Sequence, residues 1–139
     1  MDEFSISENY TSDIKPNSGY NILVVDDNTR YRNQLTNMLR KIDPQATIFN
    51  ANNIEQAVDL VNGFKIKLVF IDVILDEESG IECVEKIKII QPEARTVLIS
   101  AYPDQEFRKE GIKAGAVAFL DKKDLGSSTL RQIVEDIKE

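Results

Sequence analysis

Histidine is absent from all 139 positions of the chain. Its absence excludes Ser–His and Cys–His nucleophilic catalysis and most zinc sites. Cysteine occurs once, as Cys83, so no internal disulfide can form, and such usage fits a reducing compartment. Cys83 neighbours Val84 on an expected helix and reads as half-buried packing without a redox role. No apolar run approaches the ~20 residues that cross a bilayer. The start, Met1 to Asn9, is polar and acidic and lacks the basic flank and apolar stretch of a secretory signal. A cytoplasmic location without membrane attachment is therefore expected. Basic residues are in deficit, with 17 Lys and Arg against 24 Asp and Glu. That balance argues against direct nucleic-acid binding, because a phosphate backbone requires a basic face.

What remains is the composition of an ordinary globular domain, 42% hydrophobic and 29% charged, at a length that suits one core. Residues 1–19 are rich in Ser, Asn, Asp and Glu and end in Pro16-Asn17-Ser18-Gly19. They are expected to form a flexible leader, the alternative being a segment docked through Phe4, Ile6 or Tyr10. From Tyr20 to Glu139 short apolar runs alternate with helical periodicity. The runs are Ile22-Leu23-Val24-Val25, the weaker Thr47-Ile48-Phe49, Leu68-Val69-Phe70-Ile71, Thr96-Val97-Leu98-Ile99 and Val117-Ala118-Phe119-Leu120. Continuous apolar runs are the mark of strands covered on both faces.

Helical stripes lie between the runs. Tyr31, Leu35, Met38, Leu39 and Ile42 share one face, and Asp43-Pro44 ends it. Ile54, Ala57, Val58 and Val61 form the second stripe, with Asn53 as candidate cap and Gly63 as stop. Ile81, Val84 and Ile87 begin the third, and a weak fourth runs from about Asp104 to Lys113. Leu130, Ile133, Val134 and Ile137 make the fifth, with Ser127 or Ser128 as expected cap. Five strand–helix units imply an α/β fold, a doubly wound parallel sheet with helices on both faces.

In such a sheet, chemistry gathers beyond the carboxyl ends of the strands. Those positions hold Asp26 and Asp27 after strand one, Asp72 after strand three, Ser100 at strand four and Lys122 just after strand five. If the strand order is 2-1-3-4-5, the carboxylates of strands one and three converge. Clustered carboxylates repel one another in a partly desolvated cleft. Mg²⁺ relieves the repulsion, typically using a few carboxylates, waters and a phosphate. One carboxylate can then attack a phosphoryl donor, with Lys122 and Ser100 to meet the phosphoryl oxygens. Taken singly, each residue has a plainer reading. Asp26 and Asp27 are candidate helix caps, Asp72 a turn acid, Ser100 a strand-end hydroxyl, Lys122 a solvated cation and Phe119 core.

Together, Val24-Val25-Asp26-Asp27-Asn28, Leu68-Val69-Phe70-Ile71-Asp72, Leu98-Ile99-Ser100-Ala101 and Gly115-Ala116-Val117-Ala118-Phe119-Leu120-Asp121-Lys122 resemble receiver domains of two-component response regulators. The resemblance covers about Tyr20 to Glu139 and implies a (βα)₅ flavodoxin-like fold of order 2-1-3-4-5. It implies Asp72 as phosphoacceptor, Asp26, Asp27 and Asp72 as Mg²⁺ ligands together with the backbone carbonyl of Ile74, Ser100 as switch hydroxyl and Lys122 as phosphoryl-pairing lysine. Phe119 takes the place of the switch aromatic, whose ring moves inward. The implied donor is a histidine kinase or histidine phosphotransfer protein, since the chain has no histidine of its own. The implied output is partner binding or homodimerisation through helix four, strand five and helix five. The chain is then a signalling phosphoacceptor rather than an enzyme.

The chain departs from the family in three places. Asp76 stands where many receivers have proline, so the loop Leu75-Asp76-Glu77-Glu78-Ser79-Gly80 is expected to lack that rigidity. Lys123 stands where a cis proline is common, and a cis bond to a non-proline residue costs ~2.5–4 kcal/mol, so a trans Lys122–Lys123 bond is expected. Ile74 and Tyr102 occupy positions that influence water access, and their bulk predicts a long-lived phosphorylated state. Absence of an output domain leaves a stand-alone receiver or an excised N-terminal fragment, the latter slightly favoured. A phosphorylation-independent receiver would lack an acidic-pair member, the acceptor or the lysine. A haloacid-dehalogenase-type phosphohydrolase needs a second Asp where Ile74 stands.

Overall fold

The computed structural model describes residues 20–138, and the expectations for residues 1–19 fall outside them. Five strands form one sheet: β1 (Asn21–Val25), β2 (Thr47–Ala51), β3 (Leu68–Asp72), β4 (Arg95–Ser100) and β5 (Ala118–Asp121). All pairings are parallel and the order is β2-β1-β3-β4-β5. The helices are α1 (Thr29–Ile42), α2 (Ile54–Gly63), α3 (Gly80–Ile90), α4 (Gln105–Ala114) and α5 (Ser127–Lys138). This is the expected doubly wound arrangement. Among the described residues no helix is long and apolar enough to cross a membrane.

The continuous apolar runs are explained by two cores, because successive strand residues point to opposite faces. Ile22, Val24, Leu68, Phe70, Val97 and Ile99 face one side and pack with Leu35 and Leu39 of α1 and Leu130 and Val134 of α5. Leu23, Val25, Val69, Ile71, Leu98 and Phe119 face the other and pack with Ala57, Val61, Val84 and Ile87 of α2 and α3. Cys83, expected half-buried, is fully enclosed in this second core. Burial, reinforced by the nearby Glu78 charge, pushes its thiol up to about 12, which leaves it unreactive.

Caps fix where each helix starts, and hence where the strand ends lie. Asn28, Asn53, Ser79 and Asp104 each accept a backbone N–H from the first turn of α1, α2, α3 and α4. The cap of α1 is therefore Asn28, and neither Asp26 nor Asp27 is consumed in that role. The fifth helix differs from expectation. Ser127 already lies in its first turn, and the Leu130 N–H is taken by the carbonyl of Gly126.

The loop after β3 is more ordered than its lack of proline suggests. Ile74–Leu75 pairs antiparallel with Glu78–Ser79, and Asp76 adopts φ 57° at the turn. Left-handed backbone is accessible to Asp but closed to proline, whose φ is locked near −65°. Gly80 N–H donates to the Val73 carbonyl at 2.6 Å, and the Glu78 carboxylate accepts the Ile54 N–H at 3.0 Å. A Cβ at Gly80 would overlap the carbonyl oxygen of Asp72 and lie 2.8 Å from its carbonyl carbon. Only glycine lets α3 start this close to the end of β3. Among the described residues there are no cis peptide bonds, so Lys122–Lys123 is trans, as expected.

Two stability measurements check these constraints. Gly80→Ala forces backbone apart and is expected to cost about 1–3 kcal/mol in urea unfolding. Asp76→Pro is expected to lower stability by more than ~1 kcal/mol, whereas Asp76→Gly is tolerated because glycine takes φ > 0 freely. A fully tolerated Asp76→Pro would show that the turn has a different backbone.

Candidate functional site

The carboxyl ends of β1 and β3 are adjacent because Val25 pairs with Ile71. One carboxylate oxygen from each of Asp26, Asp27 and Asp72 lies within 4.8 Å of the others. Asp26 is 0% exposed and Asp72 8%, while Asp27 faces solvent. Asp26 is held from several sides. Its N–H donates to the Ala51 carbonyl at 3.0 Å, its Oδ1 accepts the Asn28 N–H at 2.8 Å, and its carbonyl accepts Arg32 Nη1 at 2.6 Å. Asp72 Oδ1 accepts the Ile74 N–H at 3.0 Å.

Lys122, from the short 3₁₀ turn after β5, spans the cluster. Its Nζ is 2.9 Å from Asp72 Oδ2 and 2.9 Å from Asp26 Oδ2. The contact to Asp72 is a hydrogen bond. The contact to Asp26 is an ion pair without hydrogen-bond alignment, which leaves Asp26 Oδ2 buried with no hydrogen-bond partner. The Nζ also sits 4.1 Å from the centroid of the Tyr31 ring.

Burial raises the Asp26 carboxyl above its usual range, and the Asp72 charge adds to this. The Asn28 N–H and Lys122 pull the other way without prevailing. For Lys122, burial alone would favour the neutral amine, but the hydrogen bond to Asp72 and the ion pair with Asp26 outweigh it and hold the ammonium above its ordinary pKa. Two of the three carboxylates thus share one ammonium, and Asp26 Oδ2 meets that ammonium as an ion pair alone. Hard oxygen donors, excess negative charge and a span within reach of ligand bonds of ~2.0–2.6 Å fit a divalent cation such as Mg²⁺ or Ca²⁺.

The other expected residues surround this centre. Ser100 is buried at the end of β4, and its Oγ accepts the Tyr102 N–H at 3.1 Å. Ile74 opens the short hairpin, with its side chain half exposed. Phe119, expected as the switch aromatic, has its ring on the core side of the sheet. It is already 2% exposed, covered by the Arg108 guanidinium 5.2 Å from its centroid. The pairing of Leu98 with Phe119 places it in register with a core residue of β4.

Sequence reading missed three residues at this centre. Tyr31 was assigned to the apolar stripe of α1, whereas its ring lies on Lys122. Arg32 carried no motif, and Gly80 entered only as the last residue of the loop after strand three. A Tyr-Arg pair in the first turn after the acidic residues was the one available signal.

Comparison with known proteins agrees with this arrangement. The sequence model of the response regulator receiver domain matches residues 22–135. The chain is 32% identical to the chemotaxis protein CheY of Thermotoga maritima over 104 residues, which is 75% of this chain and 86% of that protein. It is 31% identical to the sporulation initiation phosphotransferase F of Bacillus subtilis over 101 residues, 73% of this chain and 80% of the relative. The fold matches the crystal structure of a response regulator from Thermotoga maritima with a TM-score of 0.74 at 28% identity, covering 86% of this chain and 97% of the other. Other curated relatives are longer, and the chain spans 26% of one and 34% of another. With a carboxylate cluster and a bridging lysine at the rim of a 2-1-3-4-5 sheet, and a family match across nearly all of the described residues, the chain belongs to the response-regulator receiver domains.

Proposed function

We propose that the chain is the phosphoacceptor of a two-component or phosphorelay system, taking a phosphoryl group on Asp72 from the phosphohistidine of a partner kinase or phosphotransfer protein. The carrying observation is the Asp72 carboxylate at the sheet rim, beside Asp26 and Asp27 and hydrogen-bonded to Lys122. Similarity to a phosphotransferase of a sporulation pathway and to a chemotaxis protein supports the reading. Asp26, Asp27, Asp72 and the Ile74 carbonyl would hold Mg²⁺, which when bound neutralises the carboxylates so that an anionic phosphoryl group can approach.

A carboxylate oxygen of Asp72 attacks phosphorus in line with the leaving imidazole. The new P–O bond forms as the P–N bond breaks, and the electron pair stays on the imidazole nitrogen. Lys122 passes its hydrogen bond from the carboxylate to a phosphoryl oxygen. Ser100 is equipped for the same oxygens, because Oγ only accepts from Tyr102 and its own proton is free to donate. A turn of Ser100 toward the phosphoryl group breaks the bond to Tyr102 and loosens the segment leading to α4. Phe119 carries the change onward through its contact with Arg108 of α4. The face of α4, β5 and α5 is thereby biased toward a new partner or a second copy of the chain, a population shift between two existing states. The reading involves neither nucleic acid nor membrane at this domain, and it suits a cytoplasmic location.

Incubation with acetyl phosphate and Mg²⁺ is expected to give a shifted band in phosphate-affinity electrophoresis. Asp72→Asn or a chelator should remove it, and a shift that survives Asp72→Asn would sink the proposal. Ile74 and Tyr102 are both exposed and bulky, and on the proposed reading their role is to limit access of an attacking water. The acyl phosphate should therefore be long-lived, and Tyr102→Gly should shorten its half-life, read by the decay of the shifted band. A short half-life unchanged by Tyr102→Gly would refute the shielding role.

A further inference from the structure

We propose that Tyr31 is a positioning residue for phosphoryl transfer, its ring face holding the Lys122 ammonium over the acidic cluster while the lysine exchanges hydrogen-bond partners. The inference deepens the phosphoacceptor reading and rests on it. Lys122 has three partners: Asp26 and Asp72, each at 2.9 Å, and the Tyr31 ring at 4.1 Å. The lysine side chain is only 14% exposed. An ammonium enclosed to that extent has lost most of its water and depends on what replaces it. A ring face attracts a cation through its quadrupole, most strongly when the pair is desolvated.

The three partners differ in what phosphorylation does to them. Phosphorylation turns the Asp72 carboxylate into the uncharged acyl group of a mixed anhydride, and a divalent ion, when bound, would compete for Asp26. Both carboxylate contacts therefore weaken at the step when Lys122 must hold a phosphoryl oxygen. The Tyr31 ring is neutral, takes no part in the phosphoryl transfer and is no ligand for a hard cation, so it stays with the lysine throughout. A further carboxylate in that place would hold Lys122 more tightly but would compete with the phosphoryl group for it.

The ring is held in place by the site it serves. Asp26 Oδ1 accepts the Asn28 N–H at 2.8 Å, and Asn28 Oδ1 accepts the Tyr31 N–H at 3.0 Å. The next residue, Arg32, donates to the Asp26 carbonyl at 2.6 Å. The contacts close a circuit from Asp26 through Asn28 and Tyr31 to Lys122 and back to Asp26. Tyr31 Oη is buried without a hydrogen-bond partner, so the ring and not the hydroxyl makes the contact that matters.

The test compares initial rates of acetyl phosphate labelling at saturating Mg²⁺ for wild type, Tyr31→Phe and Tyr31→Leu, with thermal unfolding of each protein. Tyr31→Phe keeps the ring and should label at the wild-type rate or faster. Tyr31→Leu keeps apolar bulk without a quadrupole and should label about fivefold more slowly. To separate charge attraction from shape, phenylalanines of increasing fluorination at position 31 should slow labelling stepwise as the ring face loses its negative potential. Equal rates for Tyr31→Leu and Tyr31→Phe, or a flat response to fluorination, overturn the proposal while leaving the phosphoacceptor reading intact. Wild-type protein that fails to label at Asp72 overturns that reading itself.

Discussion

Three carboxylates meeting at the end of two adjacent strands is the constraint around which the rest of the structure is arranged. Two unit charges at the 4.8 Å upper limit of this cluster would repel by roughly 3 kcal/mol at an effective dielectric of ~20. A fold tolerates this only with compensation close at hand. Here it comes from the Lys122 ammonium bridging Asp26 and Asp72, and from the Asn28 and Ile74 N–H groups, which bond the carboxylate oxygens. Burial nonetheless holds the Asp26 carboxyl above its usual range, and its Oδ2 meets only the Lys122 ammonium, as an ion pair. The remaining negative charge is what gives the cleft its demand for a cation.

The loop after β3 illustrates how a departure from a family pattern is accommodated. Proline would stiffen the chain by fixing φ. This chain instead closes a two-residue hairpin at Asp76 and anchors it at both ends, through Gly80 to Val73 and through Glu78 to the start of α2. Rigidity therefore comes from tertiary hydrogen bonds and one close backbone approach. The hairpin carries Ile74, whose N–H restrains the Asp72 carboxylate, so loop order and acceptor orientation are linked.

On the proposed reading, the route away from the site starts at Ser100 and not at an aromatic ring waiting outside. Ser100 Oγ is engaged by the Tyr102 N–H, and Phe119 is already enclosed beneath Arg108. In that proposal, exchange at the hydroxyl would free the start of the β4–α4 connection, and the packed Phe119–Arg108 pair would transmit it to α4. Packed interiors pass on small displacements because they have few voids to absorb them.

Much of this was legible in the order of residues. Period-two burial on both faces demands continuous apolar strands, so the runs at Ile22–Val25 and Leu68–Ile71 could be read as central strands directly. The polar residues that interrupt them mark the sheet rim, which made Asp26, Asp27, Asp72, Ser100 and Lys122 visible in advance. Local caps such as Asn53 were equally readable, because a cap bonds within its own first turn. What the sequence could not supply were contacts between residues distant in the chain. The Tyr31 ring over Lys122, the Glu78 carboxylate on α2 and the steric need for glycine at position 80 depend on how elements approach, and no periodicity encodes that. The buried state of Phe119 was decided the same way. Pattern along the chain set the strands and their polar ends, while the packing of α1, α3 and α4 against the sheet set which groups touch, because contact depends on distances in space that spacing in sequence does not fix.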